Sequence, residues 1–494
     1  MRQSLKTQRT TRLTLRTGEP FLDTSVPRQV SKPYRPLHGE TFQIPWPALL
    51  LIFGVSLVVR SICFTGLIGS DDLFYSAFAQ QILDGTYQLE RNHMAIRYGV
   101  ILPLAAIYKV FGIHEWSTVA LPLLASSLAP VLATLVGFQL SGATAAWIAG
   151  LLLATFPVDA RYATILVPES MLQSAVLAAA IVYLNAEARQ SMALGIVSGI
   201  LMGLAYLIKE PGAFVVTAFV IFAFAQRRWS LGLTVAGGAA LVLAAELTWF
   251  WVVTQDLLFR THAMVVNNRQ PEVISANEHL IYRLFQSYPR LMLLPNVDFG
   301  LHSVLAAAAC VVALVSDRSY RTAFLLLWAA VPLLYLNFGT SSFERFWALP
   351  VSPRYVSLIY PPLFVLTGII VADMIRVQTN KLVPVILLPL VYSVGIACAF
   401  ATRGTGYRIN DVHNLRDIVG VARESGQQIC EITGPRSKRW RQMLLILAPD
   451  VIGCSATQLL GVAPNASGLP VSNPLKSDFS DRNAPTHQKS ATQS

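Results

Sequence analysis

Two adjacent carboxylates, Asp71 and Asp72, follow directly on the first long apolar run, Pro45 to Gly69. Acids at a membrane boundary are costly to hold and mark a functional site by default. Carboxylates can accept protons from hydroxyl groups, and a third acid, Glu169, opens a later apolar run. Cations recur at similar boundaries: Arg97, Lys209 and Arg354. Fixed cations in such places can stabilise negative charge. The segment from Asp71 to Gly85 is expected to start as an acidic helix cap. It should continue as a helix with an apolar stripe of Leu73, Phe74, Ala77, Phe78 and Ile82. The plainer alternative is a helix cap alone, although one Asp would suffice for that.

These residues are set in a strongly apolar chain. Its 494 residues are 54% hydrophobic and 13% charged, with a mean hydropathy of +0.51. A soluble protein carries about 25% charge. The expected fold is therefore an all-α polytopic membrane protein with about 11 transmembrane helices and some juxtamembrane ones. Spans are expected at 45–67, 117–138, 144–160, 168–187, 192–208, 211–226, 230–252, 298–316, 321–337, 354–374 and 382–401. Residues 98–113 are too short and too charged for a full crossing and read better as an interfacial helix. The net charge of +11 lies largely in the tail 1–44 and in short loops, so nucleic acid is not an expected partner. The basic, disordered tail puts the N-terminus on the cytoplasmic side. No small-residue cleavage site follows the first run, so it reads as a retained span.

With 98–113 outside the membrane core, Arg189, Arg227-Arg228, Arg318/Arg321 and Arg376/Lys381 face the cytoplasm. Asp71, Glu169, Lys209 and Arg354 then share the other side. Domain boundaries are expected at 45–401 for the membrane domain, with a first extracytoplasmic loop at 69–116 and a long loop at 253–297. A small soluble α/β appendage should occupy 402–462: helix Asp411–Ser425, strand Gln428–Thr433, helix Arg436–Leu447 and strand Val451–Ser455. The remainder, 463–494, reads as a disordered tail. Cys430 and Cys454 can pair if this region is extracytoplasmic.

Four segments, taken in order, resemble the GT-C membrane glycosyltransferases, nearest to protein O-mannosyltransferases and lipid A aminoarabinose transferases. Asp71-Asp72-Leu-Phe-Tyr75 is similar to their D-E-x-x-Y pattern, and Arg97 through Phe111-Gly112 to the basic, apolar, aromatic-Gly segment after it. Arg97-Tyr98-Gly99 departs from the usual Lys-Pro-Pro or His-Pro-Pro. Arg161 to Pro168-Glu169 resembles the second acidic loop, Gly203 to Lys209 the G-L-A-x-L-T-K segment, and Ser352-Pro-Arg354-Tyr355 the late R-Y motif. The resemblance covers roughly residues 45 to 375.

The resemblance implies transfer of a sugar, a hexose or a pentose, from a polyprenyl-phosphate donor to an extracytoplasmic acceptor, with inversion. The acceptor can be a protein, a lipid or a glycan. The implied setting is the cell (inner) membrane, whose lipid is itself a partner. Asp71 would be the base; Asp72 and Glu169 would orient acceptor or sugar. Arg97, Lys209 and Arg354 would hold the phosphate, and Tyr75 and Tyr355 would line the substrate site. No metal or cofactor is required, although paired acids can recruit a divalent cation.

Other readings compete with this one. Lys209 and Arg354 can simply snorkel, and Glu169 can be an ordinary first-turn acid. His93 and His262 read as surface residues, and Glu246, inside an apolar run, needs a basic partner. A transporter or lipid-linked-sugar flippase would also need charges in a bundle, and a polysaccharide ligase or polymerase would rely on the 253–297 loop.

Overall fold

The structure is a computed structural model. It describes residues 46–268, 282–293, 296–317, 319–340, 349–377, 382–404, 409–430 and 437–453. Both terminal tails, Arg318, Lys381 and Cys454 lie outside these residues. The first elements are α1 (Trp46–Ile62), α2 (Asp71–Leu83), α3 (Tyr98–Phe111), α4 (Glu115–Ser141), α5 (Ala143–Ala154) and α6 (Pro157–Tyr162). Next come α7 (Glu169–Arg189), α8 (Met192–Ile208), α9 (Gly212–Ala225), α10 (Trp229–Thr254) and α11 (Phe259–Asn268). The chain continues with α12 (Tyr288–Leu293), α13 (His302–Ser316), α14 (Tyr320–Phe338), a 3-10 turn (Pro353–Leu358), α15 (Tyr360–Val377), α16 (Leu382–Ala401), α17 (Ile409–Ser425) and α18 (Ser437–Leu447).

The protein is a multi-pass membrane protein. Among the described residues, six helices are long and apolar enough to cross a bilayer, and six shorter ones are mainly apolar. The eleven expected spans each fall on one of these twelve helices, and the remaining one is α3. With 14 residues, α3 is about 21 Å long, against roughly 30 Å of hydrocarbon. Its first end is tied to the α8–α9 turn, where Arg97 meets Glu210 at 3.1 Å. Just past its other end, Glu115 accepts from the Leu67 backbone N–H at 3.0 Å and meets Arg416. Both ends therefore lie among loops at the same end of the bundle, and α3 runs across that end.

Close packing depends on small residues. A Cβ added at Gly199 of α8 would stand 2.1 Å from the Val235 carbonyl oxygen of α10, so the backbones cross in contact, as small-residue interfaces in membranes allow. Gly99 does the same near the site. A Cβ there would lie 2.8 Å from the Ile208 backbone nitrogen, so this glycine lets the start of α3 seat on the end of α8 and carries Arg97 to Glu210.

Of the 402–462 region, residues 402–404, 409–430 and 437–453 are described. They contain α17 and α18, but strand pairing among the described residues stops at one parallel bridge between Ile429 and Ile452. A single ladder bond supports it, Ile429 N–H to Val451 O at 2.8 Å. The helices bury their apolar faces instead, and not on each other alone. Val412, Leu415, Met443 and Leu444 share one cluster with Leu67 and Leu73 of the first loop.

At the opposite end of the bundle, Arg228 meets Glu187 at 2.6 Å, while Arg321 and Arg376 bond to Ser141 at 3.2 Å each. Acids stand among these arginines too: Asp373 lies 3.9 Å from Arg321 and 3.0 Å from Arg376. Single cysteines replacing Thr86 and Gln190, in a background without the native cysteines, should react with a membrane-impermeant maleimide from opposite faces. Labelling of both from one face would refute this arrangement of α3 and the spans after it.

Candidate functional site

Four separate loops deliver charge to one end of the bundle. α2 begins with Asp71, α7 begins with Glu169, the α8–α9 turn supplies Lys209 and Glu210, and the 3-10 turn supplies Arg354 and Tyr355. Glu169 is the shared partner. Its Oε1 accepts from Lys209 Nζ at 2.5 Å and lies 3.5 Å from Arg354 Nε. Arg354 Nη2 donates to Asp71 Oδ2 at 3.0 Å. The Lys209 ammonium also sits 3.8 Å from the centre of the Tyr355 ring, a cation–π contact. Asp71 and Arg354 each keep 21% of their side-chain surface exposed, while Glu169 keeps 4%. The Asp71–Arg354 pair is thus the accessible edge of a largely buried cluster.

Asp72 points elsewhere. Its Oδ2 accepts from the backbone N–H of Ile68 at 2.6 Å and of Gly69 at 3.1 Å, and its Oδ1 from Ser70 at 2.5 Å. Three donors from one turn form an anion-binding nest. Gly69, at φ +73°, supplies the left-handed backbone this turn needs. The two expected roles of the acid pair are therefore divided: Asp72 closes the turn, and Asp71 is presented to the cluster.

Arg97 stands in an adjoining group. It donates to the Tyr75 hydroxyl at 2.6 Å and to Glu210 Oε2 at 3.1 Å. Glu210 Oε1 accepts from Arg260 of α11 at 3.0 Å. Arg260 in turn grips Glu246, with Nε 3.1 and 3.2 Å from its two oxygens. Glu246 thus finds its basic partner on the helix that follows its own span. Arg97, Lys209 and Arg354 lie at one end as expected, but only Lys209 and Arg354 meet on one acid.

Glu210, Arg260 and the setting of His93 are not evident from the sequence. Glu210 was visible beside Lys209, but nothing local shows that a loop arginine and Arg97 both reach it. His93 is buried rather than exposed at the surface. His262 does lie near the surface, where it meets Asp256 at 2.7 Å.

The electrostatics follow from this geometry. Burial pushes the Asp71 carboxyl up, but Arg354 and Arg97 outweigh it and hold the group below its ordinary value. Burial dominates at Asp72, raised to about 6 against the pull of its three backbone N–H donors. Burial also drives His93 down to about 3, helped by Arg97, so its imidazole is neutral. At Glu210, Arg97 and Arg260 together overcome burial and bring the carboxyl to about 2. Among the described residues no group of three His, Cys, Asp or Glu side chains is placed to hold a metal ion.

Lys209 therefore does not snorkel; it turns inward to Glu169. Breaking a buried pair on one side costs about 3–5 kcal/mol, because a lone charge is left behind. Lys209→Met should destabilise the protein in that range, and Lys209→Met combined with Glu169→Gln should recover part of the loss. Unfolding in detergent, compared across the cycle, measures this. Equal, additive losses would mean that the two residues are not coupled.

Comparison with known proteins agrees with this architecture. Residues 100–251 match the family described as dolichyl-phosphate-mannose-protein mannosyltransferase. The matched stretch includes Glu169, Lys209 and Glu210 but not Asp71, Arg97 or Arg354. No curated protein matches the chain. Among solved structures, ArnT from Cupriavidus metallidurans bound to undecaprenyl phosphate superposes with a TM-score of 0.51 at 17% identity, covering 84% of this chain and 88% of that one. The apo form of ArnT gives a TM-score of 0.52 at 17% identity, covering 78% and 81%. The apo oligosaccharyltransferase of Archaeoglobus fulgidus gives 0.53 at 15% identity, covering 88% of this chain but only 62% of its own length. The chain thus spans about three fifths of that oligosaccharyltransferase. It has the fold of the GT-C membrane glycosyltransferases and, over residues 100–251, resembles the dolichyl-phosphate-mannose-protein mannosyltransferases.

Proposed function

We propose that the protein is a membrane glycosyltransferase that moves a sugar from a polyprenyl-phosphate donor to an acceptor hydroxyl on the extracytoplasmic side, with inversion. The observation that carries this reading is the convergence of Asp71, Glu169, Lys209 and Arg354 from four loops onto one partly exposed cluster. The similarity to ArnT, whose structure holds undecaprenyl phosphate, supports a lipid-phosphate donor. The grouping of Arg228, Arg321 and Arg376 at the far end supports a cytoplasmic location for that end.

In this scheme the acceptor oxygen attacks the anomeric carbon as the carbon–oxygen bond to the phosphate breaks. Asp71 takes the acceptor's proton. Arg354 and Lys209 bind the departing phosphate, with Arg97 adding positive charge beside them. Arg354 is bound to Asp71 here, so an entering phosphate must draw Arg354 away. That exchange would release Asp71 to the acceptor at the moment its proton has to leave. Glu169 orients the two cations, Asp72 holds the turn, and Tyr75 and Tyr355 place Arg97 and Lys209. The scheme needs no metal ion.

Asp71→Asn should lower turnover by about 10²–10⁴-fold while keeping or tightening undecaprenyl phosphate binding, because Arg354 is no longer held by a carboxylate. Arg354→Gln should weaken that binding instead, since a lost charge-assisted contact costs about 1.5–3 kcal/mol. Turnover assays and lipid titrations on purified protein separate the two effects. Near-normal transfer by Asp71→Asn would remove it from the role of base. Unchanged binding by Arg354→Gln would remove the phosphate from this cluster.

A further inference from the structure

Beneath the ion pairs lies a second polar chain that the proposed chemistry does not use. Gln173 follows Glu169 by one turn of α7, so both side chains leave the same face of the helix. Glu169 meets the Arg354 side chain, and Gln173 meets the backbone that carries it. Gln173 Nε2 donates to the Ser357 carbonyl oxygen at 3.0 Å and to Asp159 Oδ2 at 2.7 Å. Ser357 lies in the same 3-10 turn as Arg354, three residues on. The charge of Asp159 faces Arg60, whose guanidinium is fully buried and donates to Ser126 Oγ at 2.5 Å and to the Ala154 carbonyl at 2.9 Å. Gln173 is 1% exposed.

Burying such a chain is expensive, and apolar side chains of similar volume often hold a core as well or better. Packing therefore does not explain it, but its position does. The guanidinium of Arg354 can go only where the Pro353–Leu358 turn puts its Cα, and the Ser357 carbonyl is the point where α7 grips that turn. We propose that Gln173 is a positioning residue: its amide, aimed by Asp159, keeps the 3-10 turn in register with Glu169 and so fixes where Arg354 meets the phosphate. This rests on the assignment of Arg354 to the donor phosphate.

Gln173→Met keeps the length and volume of the side chain and removes its donor. The full-length variant should remain monodisperse, with a lowered melting temperature because Asp159 and the Ser357 carbonyl each lose a donor. Its dissociation constant for undecaprenyl phosphate should rise roughly tenfold to a hundredfold, the scale of a misplacement of about 1 Å, with the acceptor KM unchanged. Gln173→Asn, which keeps an amide with shorter reach, should show the same donor-specific loss at smaller size, and it serves if the Met variant does not fold. Asp159→Asn keeps an oxygen that can accept from Gln173 and should bind the lipid nearly as wild type does. If Arg354→Gln weakens lipid binding but neither Gln173 variant does, the positioning role is wrong. Parallel losses of melting temperature, lipid binding and acceptor KM would overturn it in favour of a purely structural role. If Arg354→Gln leaves binding unchanged, the phosphate assignment fails, and this inference falls with it.

Discussion

Glu169 is the interaction on which the rest of the site depends. It is a nearly buried acid that accepts from Lys209 and faces Arg354, so one carboxylate ties the start of α7, the α8–α9 turn and the 3-10 turn together. An unpaired charge in such a place would be prohibitive. The pairing therefore fixes where these loops can lie. Asp71 completes it from α2, and Glu210, Arg97, Arg260 and Glu246 extend it. The acids Asp71, Glu169, Glu210 and Glu246 balance the cations Arg97, Lys209, Arg260 and Arg354, four against four.

That balance has a mechanistic consequence. A phosphate cannot simply be added to a neutral cluster; it must replace a carboxylate as partner of a cation. Asp71 and Arg354 are the most accessible pair of the Glu169 group, so exchange is cheapest there. In the proposed scheme the step that seats the phosphate would also free Asp71, so the base would be held in check until the donor arrives.

Much of the membrane architecture was legible from apolar run length alone, because a bilayer imposes its thickness on every span. The shortness of 98–113, opening at Arg97 and containing Lys109, is why it reads as an interfacial helix, and α3 has that short length. Asp71, Glu169, Lys209 and Arg354 were legible as acids and bases at span ends. Their pairing was not legible, because it depends on how four loops far apart in sequence fold over one end. Arg260 shows this limit: within the long loop it is one of several basic residues, and only the return of α11 toward α8 sets it between Glu210 and Glu246. Asp72 was legible as an acid but not as the acceptor of three backbone N–H groups, which requires the left-handed turn at Gly69. Of the strands expected at 428–433 and 451–455, the described residues show one bridge, Ile429 to Ile452, and 431–433 and 454–455 lie outside them.

The most direct test is the fate of the lipid. Purified protein in nanodiscs, given a polyprenyl-phosphate sugar and an acceptor hydroxyl, should release free polyprenyl phosphate and form a glycoside whose anomeric configuration is inverted relative to the donor. Passage of the intact lipid between leaflets with its sugar–phosphate bond uncut, or a product of retained configuration, would contradict the account.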